Sequence, residues 1–343
     1  MSKASRWISI VLLAIVATCT GAAGWLAWVW QDRHAVADLE WPEAATAGHQ
    51  RDRVTGEQVT VTWLGITTLL FDDGVTQVLV DGTFSRIPLL DILIQRRIFS
   101  DVATINYALA EYRLDRLAAI VPVHSHFDHA MDVGHVANRT SAVVLGSEST
   151  ANIALGSNVP VNQYQILANR ESRQFGGFTI TLIETGHAPV GPGNVGLFPG
   201  DIEEPLRQPA RIADWRSGVA WSVLIEHVAG SALVQGSAGF VENALPENSA
   251  DVVFLGIGGL SSLGRDYMEN YWAQTVQRTG AKHVYPVHYD DFTKPFGEIA
   301  LFPKVVDDVV MTAGWIDELS GDPDYSVIVK LLPFGRPVAI FEK

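Results

Sequence analysis

The sequence predicts an α/β (α+β) fold, arranged as a four-layer αββα sandwich in which two β-sheets face each other between outer helices. Segments rich in β-branched and aromatic residues lie in both halves of the chain, and segments with helical periodicity lie between them. The chain has 343 residues, of which 48% are hydrophobic, so it can bury a sizeable core. We expect this domain to occupy residues 56–343, after a membrane segment at 1–30 and a linker at 31–55.

The first predicted element is a membrane-spanning helix. Residues 7–30 contain no charged residue, and about 20 apolar residues suffice to cross a bilayer as a helix. Lys3 and Arg6 precede the run, and tryptophans stand at both of its ends, as in an aromatic belt. This pattern favours an uncleaved, single-pass anchor in the inner membrane, with the folded domain in the periplasm. A cleaved signal peptide and a lipoprotein attached at Cys19 are the alternatives.

The overall composition excludes several classes of protein. The formal net charge of −14 argues against nucleic-acid binding, which needs a basic face. Because Cys19 is the single cysteine, the chain can have no internal disulfide and no cysteine-rich metal site. Nucleic acid is therefore not an expected partner, and the oligomeric state is left open.

The domain is predicted to open with an antiparallel meander. Asp72-Asp73-Gly74 lies between two β-rich segments and is typical of a hairpin turn. The predicted strands are 59–64, 67–71, 75–80, 117–121, 178–183, 219–227, 232–235, 252–255, 283–286, 326–332 and 337–341. The predicted helices are 102–112, 267–278 and 302–319.

Two segments lack this regularity. Residues 188–218 contain several glycines and prolines, and loops of this length in a compact domain are usually functional or mobile. Residues 84–99 contain six aliphatic side chains flanked by Arg86, Arg96 and Arg97. An ordinary core helix fits this second segment, and so does an interfacial patch that dips into a membrane with its arginines at the headgroups.

The most informative feature is the run His-Ser-His-Phe-Asp-His at residues 124–129, directly after a predicted buried strand. Side chains two apart in an extended segment point the same way, so His124 and His126 can grip one cation together. Asp128 and His129 lie just beyond, where the chain turns. Neutral imidazole and carboxylate are ligands that suit zinc and similar divalent metals. Solvent-exposed histidines around a turn are the alternative.

Two further histidines stand where predicted strands end. His187 follows the strand at 178–183 and precedes the long loop, and His288 follows the strand at 283–286. Loops at strand ends allow a rigid sheet to aim ligands at one point. A structural role fits each histidine when it is considered alone, but beside the cluster at 124–129 we expect both to bind metal.

This set of residues resembles the metallo-β-lactamase superfamily, whose signature is His-x-His-x-Asp-His. The residues that match the signature and the family's two later metal histidines are His124, His126, Asp128, His129, His187 and His288. The family's aspartate at the end of an early strand is matched by Asp81. The Trp63-Leu64-Gly65 opening and the run at 81–86 look closest to the branch holding sugar-phosphate lactonases and N-acyl-phosphatidylethanolamine phospholipase D. The likeness covers residues 57–295.

One position departs from the common family pattern. Many members bridge two metals with an aspartate after the glycine of a late strand, and the matching position here is Ser237. A neutral hydroxyl supplies no bridging charge, so a second metal would be held more loosely. One subclass of true metallo-β-lactamases also has serine near this place, so the departure permits either one or two metal ions.

The resemblance also implies a role for each residue. Metal one is assigned His124, His126 and His187, and metal two is assigned Asp128, His129 and His288. Asp128 is also expected to return a proton to the leaving group. Asp81 would orient a histidine through its other ring nitrogen, or serve only in a strand-end turn. Tyr267, Tyr289 and Asp290 are candidate substrate contacts, although for Tyr267 a core or surface role is favoured.

Three functions are consistent with these features. The leading hypothesis is a membrane-tethered, metal-dependent hydrolase that uses a metal-bound hydroxide, with one or two zinc ions and a lipid-like phosphodiester as substrate. A periplasmic hydrolase of β-lactams or lactones is the second hypothesis. A metal-binding scaffold without turnover is the third, and the full set of six ligands argues against it.

Overall fold

The structure is a computed structural model that describes residues 24–25, 29–47 and 58–341. Within these residues the strands form two seven-stranded sheets and one two-stranded sheet. In chain order the strands are β1 (Thr60–Trp63), β2 (Leu69–Asp72), β3 (Gln77–Val80), β4 (Arg97–Ile98), β5 (Leu117–Val121), β6 (Val143–Gly146), β7 (Tyr164–Ile166), β8 (Glu171–Phe175), β9 (Phe178–Thr185), β10 (Ala210–Arg211), β11 (Ala220–His227), β12 (Gly230–Gln235), β13 (Val252–Gly256), β14 (His283–Val287), β15 (Ile328–Val329) and β16 (Pro337–Ala339). The α-helices are α1 (Leu89–Leu93), α2 (Val102–Glu111), α3 (Phe127–Ala130), α4 (Val133–Thr140), α5 (Glu148–Gly156), α6 (Leu260–Leu263), α7 (Arg265–Trp272) and α8 (Val309–Ser320).

Both large sheets mix parallel and antiparallel strands. The first has the order β16-β1-β2-β3-β5-β6-β7, in which β1, β2 and β3 form the predicted antiparallel meander. From β3 onward its strands run parallel. The second has the order β15-β14-β13-β12-β11-β9-β8, with parallel pairing from β12 to β15 and antiparallel pairing from β8 to β12.

Alternating side chains of the first sheet face two different cores. Val78 and Val80 of β3 belong to the core shared with the second sheet, whereas Leu79 packs with helices α2, α4 and α5 on the outer side. Helices α7 and α8 bury Trp272 and Ile316 against the second sheet. Strand β13 is buried along its whole length, as expected for a strand covered on both faces. The layers are therefore helix, sheet, sheet and helix, and the α/β prediction is confirmed.

The described part of the predicted linker at 31–55 packs along this domain. Leu39 and Trp41 are buried, and the Trp41 indole donates a hydrogen bond to the Asp317 carboxylate at 2.6 Å. Isolated β-bridges join the stretch to the domain at Arg33–Pro303, Glu43–Leu331 and Thr46–Val338. The stretch up to residue 47 therefore packs against the domain, because its apolar side chains reach the core. The remainder of the linker, 48–55, lies outside the described residues.

The predicted membrane anchor at 1–30 lies almost entirely outside the described residues, so it stays a prediction. Within the described ranges, no helix has the length and hydropathy needed to cross a bilayer.

The segment at 84–99 differs from the core helix that its aliphatic residues allow. It forms the short helix α1, in which none of the five described residues is buried, and then strand β4. Leu90, Leu93 and Ile94 are each more than half exposed, because the helix lies at the surface instead of between layers.

Other differences lie at element boundaries and in weakly patterned strands. Helix α8 starts at Val309 instead of residue 302, because Asp308 accepts a hydrogen bond from the Met311 N–H and caps the helix there. Strands β7 and β8 were not predicted, because β7 has no buried residue and β8 is largely polar. Helices α4 and α5 were also outside the predicted set.

A buried carboxylate ties the loop after β3 to the outer helices. Asp132 lies between α3 and α4 and accepts hydrogen bonds from the backbone N–H groups of Phe84 and Ser85, at 2.8 and 2.7 Å. The Ser85 hydroxyl donates a third bond at 2.8 Å. The loop that follows Asp81 is thereby fixed against the helix that carries Asp128.

Replacing Asp132 with alanine is expected to lower the free energy of unfolding by about 3 kcal/mol, because two buried N–H groups lose their acceptor. Asp101→Ala is the matched control, since Asp101 accepts two backbone N–H bonds at the exposed start of α2. Loss of that cap should cost about 1 kcal/mol. Urea denaturation followed by circular dichroism measures both values. Equal losses of unfolding free energy in the two variants would show that burial of the Asp132 carboxylate adds nothing to stability.

Candidate metal centre

The signature residues lie in the turn after β5 and in the short helix α3, which carries Asp128 and His129. Three backbone contacts hold this turn from outside: the Val123 N–H donates to Asp81, the Ser125 N–H donates to the Ser217 carbonyl, and the Trp221 N–H donates to the Val123 carbonyl. The distances are 2.8, 2.9 and 2.7 Å. Both large sheets therefore take part in fixing the turn, since Trp221 belongs to β11 of the second sheet.

Three histidines form the first ligand group. The Nε2 atom of His124 lies 2.9 Å from Nδ1 of His126. The ring of His187 stands 4.8 Å from each of these two rings, measured between centroids. One nitrogen from each of the three side chains lies within 4.8 Å of the others. The sequence predicted these residues as the ligands of metal one, and the structure brings all three together.

Asp128, His129 and His288 form the second ligand group. The Nε2 atoms of the two histidines lie 3.2 Å apart, and Oδ2 of Asp128 lies 3.5 Å from each of them. The three atoms thus make a nearly equilateral triangle. The second group adjoins the first, because the rings of His124 and His129 are 4.1 Å apart between centroids.

The spacing in the second group fits a tetrahedral metal ion. Zinc bonds to nitrogen and oxygen measure about 2.0–2.2 Å, which places neighbouring ligand atoms about 3.3–3.6 Å apart. The observed edges of 3.2 and 3.5 Å agree with this range or fall just below it. Two groups of this kind, each built from three ligand-type side chains, occur among the described residues.

The first group is held in the protonation state that a metal requires. Burial lowers the pKa of His124 well below its ordinary value, and burial with the neighbouring His187 lowers the pKa of His126 to about 4. Burial also lowers the pKa of His187. These imidazoles are therefore neutral at pH 7 and offer lone pairs, as metal ligands must.

Charge is distributed differently in the second group. Burial alone would raise the pKa of the Asp128 carboxyl, but His129 and His288 outweigh it and hold that pKa below its ordinary range. Burial opposes protonation of His129, yet the carboxylates of Asp81 and Asp128 raise its pKa. The second group therefore contributes one anionic ligand beside two imidazoles.

Asp81 orients a histidine, as the resemblance implied. Its Oδ2 atom lies 2.6 Å from Nδ1 of His129, and its Oδ1 atom accepts from the Val123 N–H at 2.8 Å. Since a carboxylate accepts, Nδ1 of His129 carries a hydrogen, and Nε2 is the ring nitrogen that faces Asp128 and is placed to serve as a ligand. Asp81 is buried at the end of β3, and its backbone is left-handed, with φ of 58°.

Hydrogen bonds to the loop between β1 and β2 hold His288 in place. Its backbone N–H donates to the Ile66 carbonyl at 2.9 Å, and the Ile66 N–H donates to the Asp290 carboxylate at 2.8 Å. Tyr289 packs on Trp63 with ring centroids 5.2 Å apart. Both Tyr289 and Asp290 are 2% exposed, so little of either side chain is open to solvent, and their contact with substrate stays a prediction.

The segment after β12 holds the loop that carries His187. Its Nδ1 donates to the Ala188 carbonyl at 2.8 Å, which leaves Nε2 for the ligand group. The Ala188 N–H donates to the Ser237 hydroxyl at 2.9 Å. The Tyr267 hydroxyl donates to the Ala238 carbonyl at 2.9 Å, so it braces this segment from behind. Ser237 thus fastens the His187 loop, and Tyr267 supports the same segment, in keeping with the structural role favoured for it.

Ser237→Ala is expected to weaken metal binding at the first group about tenfold, in line with the loss of a partner that orients a ligand. The Ala188 N–H would lose its acceptor, and the His187 loop would be less constrained. Ser231→Ala is the control, because the Ser231 hydroxyl donates to Asp251 at the start of β12. Competition with a metal chelator measures both affinities. An unchanged affinity in the Ser237 variant would contradict the positioning role.

Aromatic side chains around the two groups were not singled out from the sequence. Phe198 of the long loop lies 6.2 Å from the His126 ring, and Phe292 lies 6.0 Å from the His288 ring. Both are half-buried. Their only signal in the sequence is their place in loops beside predicted ligands, because phenylalanine is common in cores.

Comparisons with known proteins give a weak likeness. The chain matches no protein-family model, and no curated protein matches it. Among solved structures, the metallo hydrolase Igni18 from Ignicoccus hospitalis has 17% identity and a TM-score of 0.45, covering 83% of this chain and 100% of its own. The metallo-β-lactamase fold protein YhfI from Bacillus subtilis has 14% identity and a TM-score of 0.46, covering 81% and 98%. A possible metal-dependent hydrolase from Veillonella parvula has 15% identity and a TM-score of 0.47, covering 82% and 100%. Likeness at this level does not establish a family or an activity.

Proposed function

We propose that the chain is a metal-dependent hydrolase whose centre takes one or two divalent ions, with zinc as the natural candidate. The observation that carries the proposal is the convergence of six side chains, from three separate segments, into two adjoining three-ligand groups. The six are His124, His126, Asp128, His129, His187 and His288. Imidazole and carboxylate ligands of this number suit zinc, manganese or iron, and the near-tetrahedral spacing favours zinc.

A divalent ion in such a centre would supply a Lewis acid and lower the pKa of bound water to about 7. His124, His126 and His187 would hold their ion as neutral ligands, which leaves its charge undiminished. The Asp128 carboxylate belongs to the second group and is partly exposed, so it can also take up a proton and pass it to a leaving group. Asp81 keeps the His129 ring in the tautomer that the centre needs.

Membership of the metallo-β-lactamase superfamily is supported by the signature at 124–129 and by the four-layer architecture around it. The Trp63-Leu64-Gly65 opening and the run at 81–86 favour the lactonase and phospholipase D-like branch within it. A lipid-like phosphodiester is the substrate class we propose, because an uncharged run at 7–30 would tether the domain to a membrane. In the same proposal the domain faces the periplasm.

The test is turnover by the full chain in detergent, before and after removal of metal by a chelator. Hydrolysis of a phospholipid or of bis(p-nitrophenyl) phosphate is expected, with loss in chelator and recovery when zinc is added. Bound metal is counted by mass spectrometry in the same samples. A chain that binds no metal would overturn the proposal.

Two further outcomes of this test separate the alternatives. Ring opening of a chromogenic β-lactam or a lactone, with no phosphodiester turnover, would replace the proposed substrate class. Stoichiometric metal with no turnover of any of these substrates would indicate the scaffold function.

A further inference from the structure

An exposed apolar ledge lies on the surface segment that contains helix α1 and strand β4. It consists of Leu90, Leu93 and Ile94 at helix α1 and Phe99 after strand β4, which are 62%, 65%, 54% and 64% exposed. Single exposed apolar residues are ordinary, but four large ones within ten positions of the chain form a patch that indicates an interaction site.

Basic side chains border the ledge. Arg96 is well exposed and pairs with Asp91 at 2.9 Å, and the Arg97 guanidinium donates to the Pro209 carbonyl at 3.0 Å. An apolar strip with arginines at its border is typical of segments that lie in the interface of a bilayer, where the guanidinium groups meet lipid phosphates.

The ledge is joined to the metal centre through one loop, residues 290–301. Phe296 of this loop packs on Phe84, just before α1, with ring centroids 5.7 Å apart. Phe292 of the same loop lies 6.0 Å from the His288 ring. The loop therefore contacts both the segment that leads into the ledge and the second ligand group.

The segment that follows the N-terminal apolar run contacts this same loop. Arg33 stands three residues after the end of the run at 7–30, and its guanidinium pairs with Asp291 at 2.5 Å and donates to the Leu301 carbonyl at 2.9 Å. A membrane that held the run would thus begin within a few residues of the loop that links the ledge to His288.

The other end of the ledge adjoins the long loop at 188–218. Strand β4 pairs with β10 of that loop, through Ile98 with Ala210 and Arg97 with Arg211. The same loop carries Phe198, whose ring lies 6.2 Å from that of His126. The ledge therefore stands between the two loops that border the metal centre.

We infer that the ledge lies in the interface of a lipid bilayer and turns the metal centre toward the membrane surface. The occupant is lipid, because Arg33, three residues after the apolar run, contacts the loop at 290–301. This loop packs on Phe84, in the segment that leads into the ledge. The inference rests on the membrane tether and the lipid-like substrate proposed above. Membrane contact can be measured without turnover. A failure of this inference can therefore be distinguished from a failure of the proposed hydrolase function.

The test uses the full chain reconstituted into lipid vesicles, with one reporter cysteine on a Cys19→Ser background. Leu93→Cys places an environment-sensitive fluorophore on the ledge, and Val228→Cys is the matched control. Val228 is 86% exposed in the turn after β11. That strand starts at the metal centre and runs away from it, so the control lies roughly 20 Å from the centre.

Brominated lipid is expected to quench the probe at residue 93 at least several-fold more than the probe at residue 228. Leu90→Ser/Leu93→Ser, read from a fluorophore at Ile94→Cys, should reduce the quenching there while the apolar run keeps the chain in the vesicles. Equal quenching at the two positions would overturn the inference, whether or not the protein hydrolyses anything. Protection of residue 93 without lipid quenching, together with a cross-linked dimer, would also overturn it by assigning the ledge to a second copy of the chain.

Discussion

Replacement of His126 by alanine is expected to lower hydrolysis at least about a thousandfold, equivalent to about 4 kcal/mol of lost transition-state stabilisation. The first group would keep His124 and His187 only, and two imidazoles cannot hold an ion as the three did. Bound metal per chain should fall together with the rate. Metal counting and kcat/KM, measured on the same preparation, check both effects.

The control for this variant is His135→Ala. His135 is half-buried on α4, outside both ligand groups, so its loss should leave metal content and rate within about twofold. A His126→Ala protein that is folded, fully loaded with metal and fully active would contradict the assignment of the first group.

Asp128→Asn is expected to lower kcat at least about a hundredfold, because it removes the single anionic ligand of the second group while keeping the size of the side chain. The amide can neither balance the charge of an ion between His129 and His288 nor pass on a proton. Metal should be lost from the second group while the first group keeps its ion. Metal titration followed by stopped-flow kinetics separates the two effects.

Asp324→Asn is the matched control, since Asp324 is exposed in the segment between α8 and β15. It should change neither metal content nor rate. If Asp128→Asn keeps its second metal and loses activity, the carboxylate acts mainly on the proton. If both are kept, the role assigned to Asp128 is wrong.

The ligand set could be predicted because most of its residues lie close together in the sequence. The signature at 124–129 crowds imidazoles and a carboxylate together, and His187 and His288 each follow a recognisable strand. The surroundings of the ligands carry no such signal. Ile66, whose carbonyl holds His288 and whose backbone has φ of 53°, is an aliphatic residue that nothing in the sequence marks.

The architecture could be predicted where strands are buried, but less well where they are not. Strands such as β13 have apolar side chains throughout, whereas β8 reads Glu-Ser-Arg-Gln-Phe and gives no hydrophobic pattern. The aliphatic pattern of α1 was ambiguous in the opposite way, because it fits a core helix although Leu90 and Leu93 are exposed. Hydrophobicity alone cannot tell a side chain that meets a protein core from one that meets another apolar medium.

The pairing of residues 46 and 47 with the last strand has a consequence for how the protein can be shortened. Ala47 donates to the Pro337 carbonyl at 2.7 Å and Thr46 bridges Val338, so this stretch shields the outermost strand of the first sheet. Unshielded backbone at the margin of a sheet is a template for association between molecules. Truncation at residue 48, chosen to gain solubility, would therefore promote aggregation, whereas a start near residue 32 would preserve the shield.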